Sequence, residues 1–143
     1  MRDISNRTKS VATQVPAVVT ADANGTGVDL QGFESAMVVV NTGAEGDTLS
    51  GSVKFDFILE DSDDDSTYTA VTSSTSVTEG SVDSSGIFLT LDANGETPQI
   101  SQIGYIGGKR YIRCKIDVTG SHSNGTPMGA VVVLGNPIDS TDA

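Results

Sequence analysis

The sequence contains few of the residues that chemistry and covalent crosslinking require. Its 143 residues include no tryptophan, one cysteine, Cys114, and one histidine, His122. A single cysteine excludes an internal disulfide. A nucleophile needs a base within hydrogen-bond reach, and here the only histidine falls in a Ser-Asn-Gly loop, while the cysteine occupies an apolar position where a small buried side chain is expected. We therefore predict that the protein is not an enzyme.

Phosphate-binding loops and long apolar runs are also missing. The segment 104–109, Gly-Tyr-Ile-Gly-Gly-Lys, lacks the spacing of a nucleotide-binding loop, and we predict no cofactor. No apolar run approaches the roughly 20 residues that a membrane-spanning helix needs. The segment Met1–Arg7 has no apolar core of a signal peptide. We expect a soluble protein made in the cytoplasm, with no membrane partner.

Basic residues are scarce and unevenly distributed. The net charge is −11, which argues against nucleic acid as a partner, because phosphate binding needs concentrated Lys and Arg. Residues 1–9 nevertheless carry Arg2, Arg7 and Lys9 against Asp3 alone, so this segment has a charge of +2 and the remainder −13. A basic segment before an acidic body is typical of an arm that binds another subunit. The alternative is a solvated tail.

What the sequence does contain is strand periodicity. From Arg110 to Val118 apolar and polar residues alternate, and a second alternating stretch, Ser52–Glu60, places Phe55 and Phe57 on one side. Period-two alternation predicts strands with one buried face. The segments Met37–Val40 and Met128–Leu134 are continuously apolar, which predicts strands that are covered on both faces.

Asn-Gly pairs at 24–25, 94–95 and 124–125 predict turns, the first of them a hairpin. No segment has helical periodicity. We predict an all-β fold, an antiparallel β-sandwich or barrel of about eight short strands with an extended N-terminal arm. The domain boundaries follow from composition: 1–12 as a basic arm, 13–135 as a single β-sandwich domain and 136–143 as an acidic tail. The Ser/Thr-rich stretch 72–85 is expected to be mobile, or ordered by a neighbour.

Two groups of charged residues have open interpretations. Asp61, Asp63 and Asp65 have the spacing of a calcium loop, but Ser66 and Thr72 stand where that loop needs glycine and glutamate. The alternative is a turn in which carboxylates cap backbone amides. Basic residues that precede or lie on the Arg110–Val118 strand either pair with acidic neighbours on the same sheet or face a partner's carboxylates. The candidate partner-binding residues are Arg2, Arg7, Lys9, Lys109, Arg110 and Arg113.

Three segments carry a resemblance to a known group of proteins. They are 57–71 (FILEDSDDDSTYTAV), 104–113 (GYIGGKRYIR) and 29–40, which holds DLQGF followed by AMVVV. Together they resemble small structural proteins encoded in the head gene clusters of tailed bacteriophages and related prophages, and the resemblance covers most of residues 11–135. Some of these features also occur in discoidin-like sugar-binding sandwiches, but the bounding cysteines and several tryptophans of that family are missing here.

The resemblance implies a capsid decoration (cement) protein. Such a protein binds the outer surface of the shell formed by the major capsid protein and stabilises it, so the expected location is the virion. The expected partner is the major capsid protein, with a possible homo-oligomer on the capsid. Two alternatives remain: a phage neck or tail structural protein, and a carbohydrate-binding β-sandwich module.

Overall fold

A computed structural model describes residues 3–139 as two antiparallel β-sheets packed face to face. Sheet A has five strands, in the order β1 (Thr8–Val19), β11 (Thr126–Pro137), β4 (Phe33–Thr42), β9 (Gln99–Tyr105) and β7 (Val77–Thr78). Sheet B has six strands: β2 (Ala23–Asn24), β10 (Tyr111–Thr119), β5 (Lys54–Ser62) and β6 (Thr69–Ala70) in order, with β3 (Val28–Asp29) on β10 and β8 (Ile87–Leu91) on β5. Besides these strands the structure has one 3₁₀ turn, Ser74–Ser76.

The predicted all-β sandwich is confirmed. The strands number eleven rather than about eight. The difference arises mainly because β2 and β7 are two residues long, and alternation cannot be recognised over so short a stretch. No helix within residues 3–139 is long and apolar enough to span a membrane.

The core lies between the two sheets, where the alternating side chains of β5 and β10 meet those of β4 and β11. Phe55 and Phe57 have no exposed surface, as their alternation predicts. The same is true of Ile112, Cys114 and Ile116 on β10. Removing these apolar side chains from water is the main force that holds the two sheets together.

The predicted arm and tail are shorter than their composition suggested. Residues 8–12 belong to β1 and pair with residues 131–135 of β11, so the described segment outside the sheet ends at Arg7 rather than at residue 12. Strand β11 likewise continues to Pro137, two residues into the predicted tail. Residues 8–12 lie on an edge strand and residues 136–137 at the end of a strand, where backbone pairing supplies much of the contact. Neither segment therefore needs the amphipathic pattern by which a strand is recognised. Residues 1–2 and 140–143 lie outside the described residues.

Strand β1 joins the two sheets through two side chains. On one side of β10, the short strands β3 and β2 pair with residues 111–112 and 115–116, which leaves Cys114 between them without a strand partner. The Thr13 hydroxyl accepts the Cys114 N–H at 3.0 Å, and the Gln14 amide donates to the Cys114 carbonyl at 2.9 Å. A register shift in β1 between Ala12 and Gln14 accompanies this arrangement. Two side chains of sheet A thereby satisfy buried backbone groups of sheet B.

The hairpin predicted at Asn24-Gly25 is wrong. Strands β2 and β3 lie one after the other along the same neighbour, β10, so the chain between them does not reverse. Gly25 is required there for close approach, because a Cβ atom would lie 2.2 Å from the Cys114 carbonyl oxygen. The stretch 72–85 also contains regular structure, since β7 pairs with residues 104–105 of β9 and Val77 is buried.

Candidate interaction surfaces

The outward face of sheet B is charged, and its charges pair with one another. Arg113 lies opposite Glu60 in the β10–β5 register, and its Nε donates to the Glu60 carboxylate at 2.6 Å. The Arg113 guanidinium also lies 4.0 Å from the centre of the Tyr68 ring. On the same strands Lys54 lies 2.7 Å from the Asp56 carboxylate. This face therefore satisfies its own charges.

The other two basic candidates near β10, Lys109 and Arg110, are also paired within the chain. Lys109 donates to the Asp63 carboxylate at 3.0 Å. Arg110 donates to both carboxylate oxygens of Asp29, at 2.9 and 2.7 Å, and this contact lowers the pKa of the Asp29 carboxyl. Lys109, Arg110 and Arg113 therefore pair with acidic residues of the same chain, which is the first of the two interpretations left open above.

The N-terminal candidates lie on the other sheet. Arg7 and Lys9 are exposed, before and at the start of β1, whereas Arg110 and Arg113 lie beside and on β10 of sheet B. Neither Arg7 nor Lys9 makes an ion pair with any residue between 3 and 139. Arg2 falls outside the described residues. Of the five candidates that the structure describes, Arg7 and Lys9 are thus the two whose charges are not paired within residues 3–139.

The three carboxylates with calcium-loop spacing have separate partners. Asp61 accepts hydrogen bonds from the Tyr105 and Thr69 hydroxyls, at 2.9 and 3.3 Å, and Asp63 pairs with Lys109. Asp65 accepts the Tyr68 hydroxyl. Among residues 3–139 no group of three or more His, Cys, Asp or Glu side chains is arranged to hold a metal ion.

The turn in this acidic loop depends instead on Asp64. Its carboxylate accepts the backbone N–H groups of Ser66 and Thr67, at 3.0 and 2.8 Å, and the Ser62 hydroxyl at 2.9 Å. These hydrogen bonds, the one from Thr67 foremost, lower the pKa of the Asp64 carboxyl because they favour its ionised form. Asp64 is thus the residue that caps the backbone amides of the loop.

A pH-dependent contribution to stability follows. A carboxyl whose pKa is lower in the folded than in the unfolded state stabilises the fold above its unfolded pKa, and this contribution disappears as pH falls through the folded value. We expect Asp64→Asn to melt at a lower temperature than the unmodified protein at pH 7. We expect the difference to shrink as pH falls from about 5 towards 3. Thermal melts across this range measure it.

The matched control is Asp92→Asn, which makes the same change in charge. The Asp92 carboxylate accepts no hydrogen bond from the described residues, although the charge interacts with Lys54. A melting difference for Asp64→Asn that stayed constant from pH 7 to pH 3 would contradict the assignment.

Cys114 and His122 do not form a catalytic pair. Cys114 is fully buried, as its apolar position predicted, and burial raises the pKa of its thiol to about 12. His122 is buried rather than exposed in its loop. Its ring packs 4.2 Å from the Phe55 ring, and its Nε2 hydrogen-bonds the Thr119 carbonyl at 3.0 Å. The loop composition gave no sign of this burial, because it comes from contact with a distant strand.

Sequence reasoning missed the outward face of sheet A, which is uncharged and has an apolar centre, with Ser10, Asn41 and Gln102 among the outward positions around it. Cross-strand register aligns Ala12, Val131 and Val39 in one row, and Val133 and Met37 in the next. We call this surface the outer face of sheet A. Its main apolar side chains are Ala12, Met37, Val39, Ile100, Val131 and Val133.

No charge interrupts the outer face of sheet A among the described strands. The sheet has two charged side chains, Lys9 and Glu34. Lys9 lies opposite the buried Leu134, and Glu34 lies on the same side of its strand as Ala36, which packs against the core. Both charged residues therefore occupy positions that alternate with the outward-facing ones, so neither charge lies on the outer face. The face is uncharged although the protein has a net charge of −11.

An open groove of about 650 Å³ lies at one end of this face. One wall is the second half of β1, including Pro16 and Val18, and Ile100 also contributes to the lining. Ile100 is 70% exposed and Val18 59%, although both are large apolar side chains. The groove is a contiguous exposed apolar depression. Contiguous apolar surface of this kind is typical of an interaction site, whereas single exposed apolar side chains need no explanation.

The prediction that both apolar runs are covered on two faces is wrong for the isolated chain. Sheet B covers one side of 37–40 and 128–134, and Val38, Val40 and Val132 are fully buried there. On the other side Val131 remains 37% exposed, and Met37 and Val39 are only partly buried. The two runs are apolar on both sides, as the pattern indicated, but within residues 3–139 nothing covers the side that faces away from sheet B.

The edges of sheet A are poorly suited to pairing with another strand. Edge strand β1 carries Lys9, Pro16 and two register shifts, and the opposite edge strand, β7, is two residues long. Charge, proline, bulges and short length all discourage pairing at a sheet edge. The face, not the edge, is the part of sheet A that is open to contact.

No family model, curated protein or solved structure matches this chain. The functional argument therefore depends on the surfaces just described and on the resemblance in sequence.

Proposed function

We propose that the protein is a non-enzymatic structural protein of a tailed bacteriophage particle. Its role is that of a decoration (cement) protein, which binds the outer surface of the major capsid shell and stabilises it. The observation that supports this most is the contrast between an uncharged, apolar outer face on sheet A and a charged, internally paired face on sheet B. Charge depletion with apolar enrichment is typical of the centre of a protein interface.

A two-sheet body suits this role mechanically. The core between the sheets is contiguous, and residues 13 and 14 tie sheet A to sheet B, so the body presents its outer face as a rigid platform. A small rigid platform binds weakly at any one site. Repetition of that site over a shell stabilises the shell as a whole, because each bound copy adds its binding free energy to the assembled state.

The carbohydrate-binding alternative has less support. Sugar-binding sandwiches use exposed aromatic rings as platforms, whereas all seven aromatic side chains here are buried or partly buried. Phe55, Phe57 and Tyr105 are buried, and Tyr68 lies under the Arg113 guanidinium. A neck or tail position remains the second candidate, since it would use the same kind of surface.

Copy number separates the shell from the neck and tail. In particles produced from the genome that encodes this chain, we expect between about one copy per major capsid subunit and about one per six, because a shell site repeats with the lattice. Quantitative mass spectrometry of purified particles, with the major capsid protein as the internal standard, measures the ratio. About a dozen copies or fewer per particle would place the protein at the neck or tail, and absence would overturn the proposal.

A further inference from the structure

We infer that the outer face of sheet A is the docking surface, and that its occupant is a shell surface with an apolar centre and basic groups beside the groove. This inference rests on the proposed function, because it takes the occupant to be the shell. It replaces Lys109, Arg110 and Arg113, whose charges are paired within the chain, as the site of attachment.

The outer face of sheet A has no layer packed against it within residues 3–139. Central strands β11 and β4 are apolar on both sides, yet only the inner side is covered by sheet B. A β-sheet that faces water alternates apolar and polar residues, whereas one that is covered on both sides does not. The sequence of these two strands is therefore that of a sheet with a second layer, and the described chain supplies only the first.

Another copy of this chain is disfavoured as the cover. The four long strands of sheet A present an area of roughly 20 by 25 Å, so face-to-face contact covers about 500 Å² on each partner. A stable dimer interface buries about 800 Å² on each side. Two copies would also bring together bodies that each carry a charge of −11. Contact with one shell subunit would cover the same area and would also be weak, so charge rather than area favours a shell with basic groups over a second copy.

A further argument is the charge near the groove. The groove includes Gly43, and Glu45 follows two residues later, where its carboxylate accepts the Gly95 N–H at 3.1 Å. Glu96 lies four residues before Ile100. Lys9 is the one basic side chain on the described strands of sheet A. Glu45 and Glu96 are thus close in the chain to residues at the groove end of the face, whereas the exposed Arg7 and Lys9 lie before and at the start of β1. Acidic groups at the groove end are complementary to basic groups on the partner there, which sets orientation and the rate of association.

The test is a charge placed in the groove. Ile100→Asp puts a carboxylate on a side chain that is 70% exposed, so the fold should tolerate it, but the carboxylate would be buried on docking. The matched control is Ile106→Asp, the same substitution at a 60% exposed isoleucine just beyond the other end of β9. The probe is a preparation of shells of the major capsid protein that lack this chain. Co-sedimentation gives the apparent Kd.

We expect Ile100→Asp to weaken shell binding by about tenfold or more and Ile106→Asp to leave it within about twofold. Thermal melts check that the two variants are equally folded. If Ile100→Asp melts lower than its control, Ile100→Asn replaces it, since it adds polarity without charge.

Each result decides between defined alternatives. Unchanged binding by Ile100→Asp would overturn the docking face and leave the proposed function standing. No shell binding by the unmodified chain would overturn both. A dimer in solution that Ile100→Asp converts to a monomer would show that the face is covered by a second copy, against the occupant inferred here.

Discussion

Gly25→Ala is expected to destabilise the fold by about 3 kcal/mol or more, at or above the upper end of the usual cost of overpacking. The added Cβ would lie 2.2 Å from the Cys114 carbonyl oxygen and 2.6 Å from the Thr13 hydroxyl oxygen. The first of these atoms belongs to the backbone of β10, which is held by β5 on its other side. Relief therefore requires movement of a central strand rather than of a flexible side chain.

The substitution also acts on the junction between the sheets. Thr13 accepts the Cys114 N–H, and the backbone N–H of Thr26 donates to the Thr13 carbonyl at 2.7 Å. Displacing this segment would leave buried backbone groups without partners, which adds to the steric cost. Urea unfolding followed by circular dichroism measures the change in the free energy of unfolding.

Glycines with open surroundings provide the control. Gly51 and Gly108 have nothing within 4 Å of the position that a Cβ would occupy, and neither has a positive φ. We expect alanine at either position to leave stability unchanged or raise it by up to about 1 kcal/mol, because alanine restricts the unfolded chain. A loss for Gly25→Ala no larger than for these controls would contradict the close packing of this segment against β10.

Arg113→Met is expected to destabilise the fold by about 2 kcal/mol, although Arg113 looked like a binding residue in the sequence. The Arg113 and Glu60 side chains are 19% and 12% exposed, and their contact is 2.6 Å. Methionine retains much of the apolar stem but leaves the Glu60 carboxylate, nearly buried, without its ion-pair partner. The loss of one partner from a buried pair costs several times more than the loss of an exposed one.

A double-mutant cycle isolates the pair. We expect Arg113→Met with Glu60→Leu to recover at least half of the loss, since a buried ion pair replaced by apolar side chains is often close to neutral. Arg110→Met is the control: Arg110 and Asp29 are 48% and 42% exposed, and we expect a cost below about 1 kcal/mol. Equal costs at the two arginines would show that the Arg113 pair is not a structural one.

This expectation affects how attachment experiments are interpreted. Arg113→Glu would place a second carboxylate beside Glu60, so weaker shell binding by that variant would follow from a less stable fold. Ile100 does not have this complication, since its side chain is largely exposed and lies on the opposite sheet. An interface is therefore better tested at Ile100 than at the basic residues.

The sequence predicted the fold class and much of the core because these depend on local alternation. Phe55 and Phe57 on β5, and Ile112, Cys114 and Ile116 on β10, are each separated by one residue, and their burial follows from strand geometry alone. The same dependence on local alternation explains why residues 8–12, the start of β1, were predicted to be an arm. Ser10 and Ala12 provide no amphipathic signal, and residues 8–12 become a strand only because β11 pairs with them.

The candidate site was not predictable from local pattern. Whether Arg113 meets Glu60 or a partner depends on the register between β10 and β5, because these two residues lie 53 positions apart in the chain. Whether the apolar runs of β4 and β11 are covered once or twice depends on how many layers the chain folds into.

By itself, the sequence determined an all-β chain with alternating strands, a core centred on two phenylalanines, a cysteine at a buried position and a strongly acidic charge. These properties depend on residue type and on neighbours one or two positions away. Only the tertiary structure decided which charges neutralise one another and which apolar face stays open. Both depend on contacts between distant strands, and their energies cannot be assigned until the register and the number of layers are known.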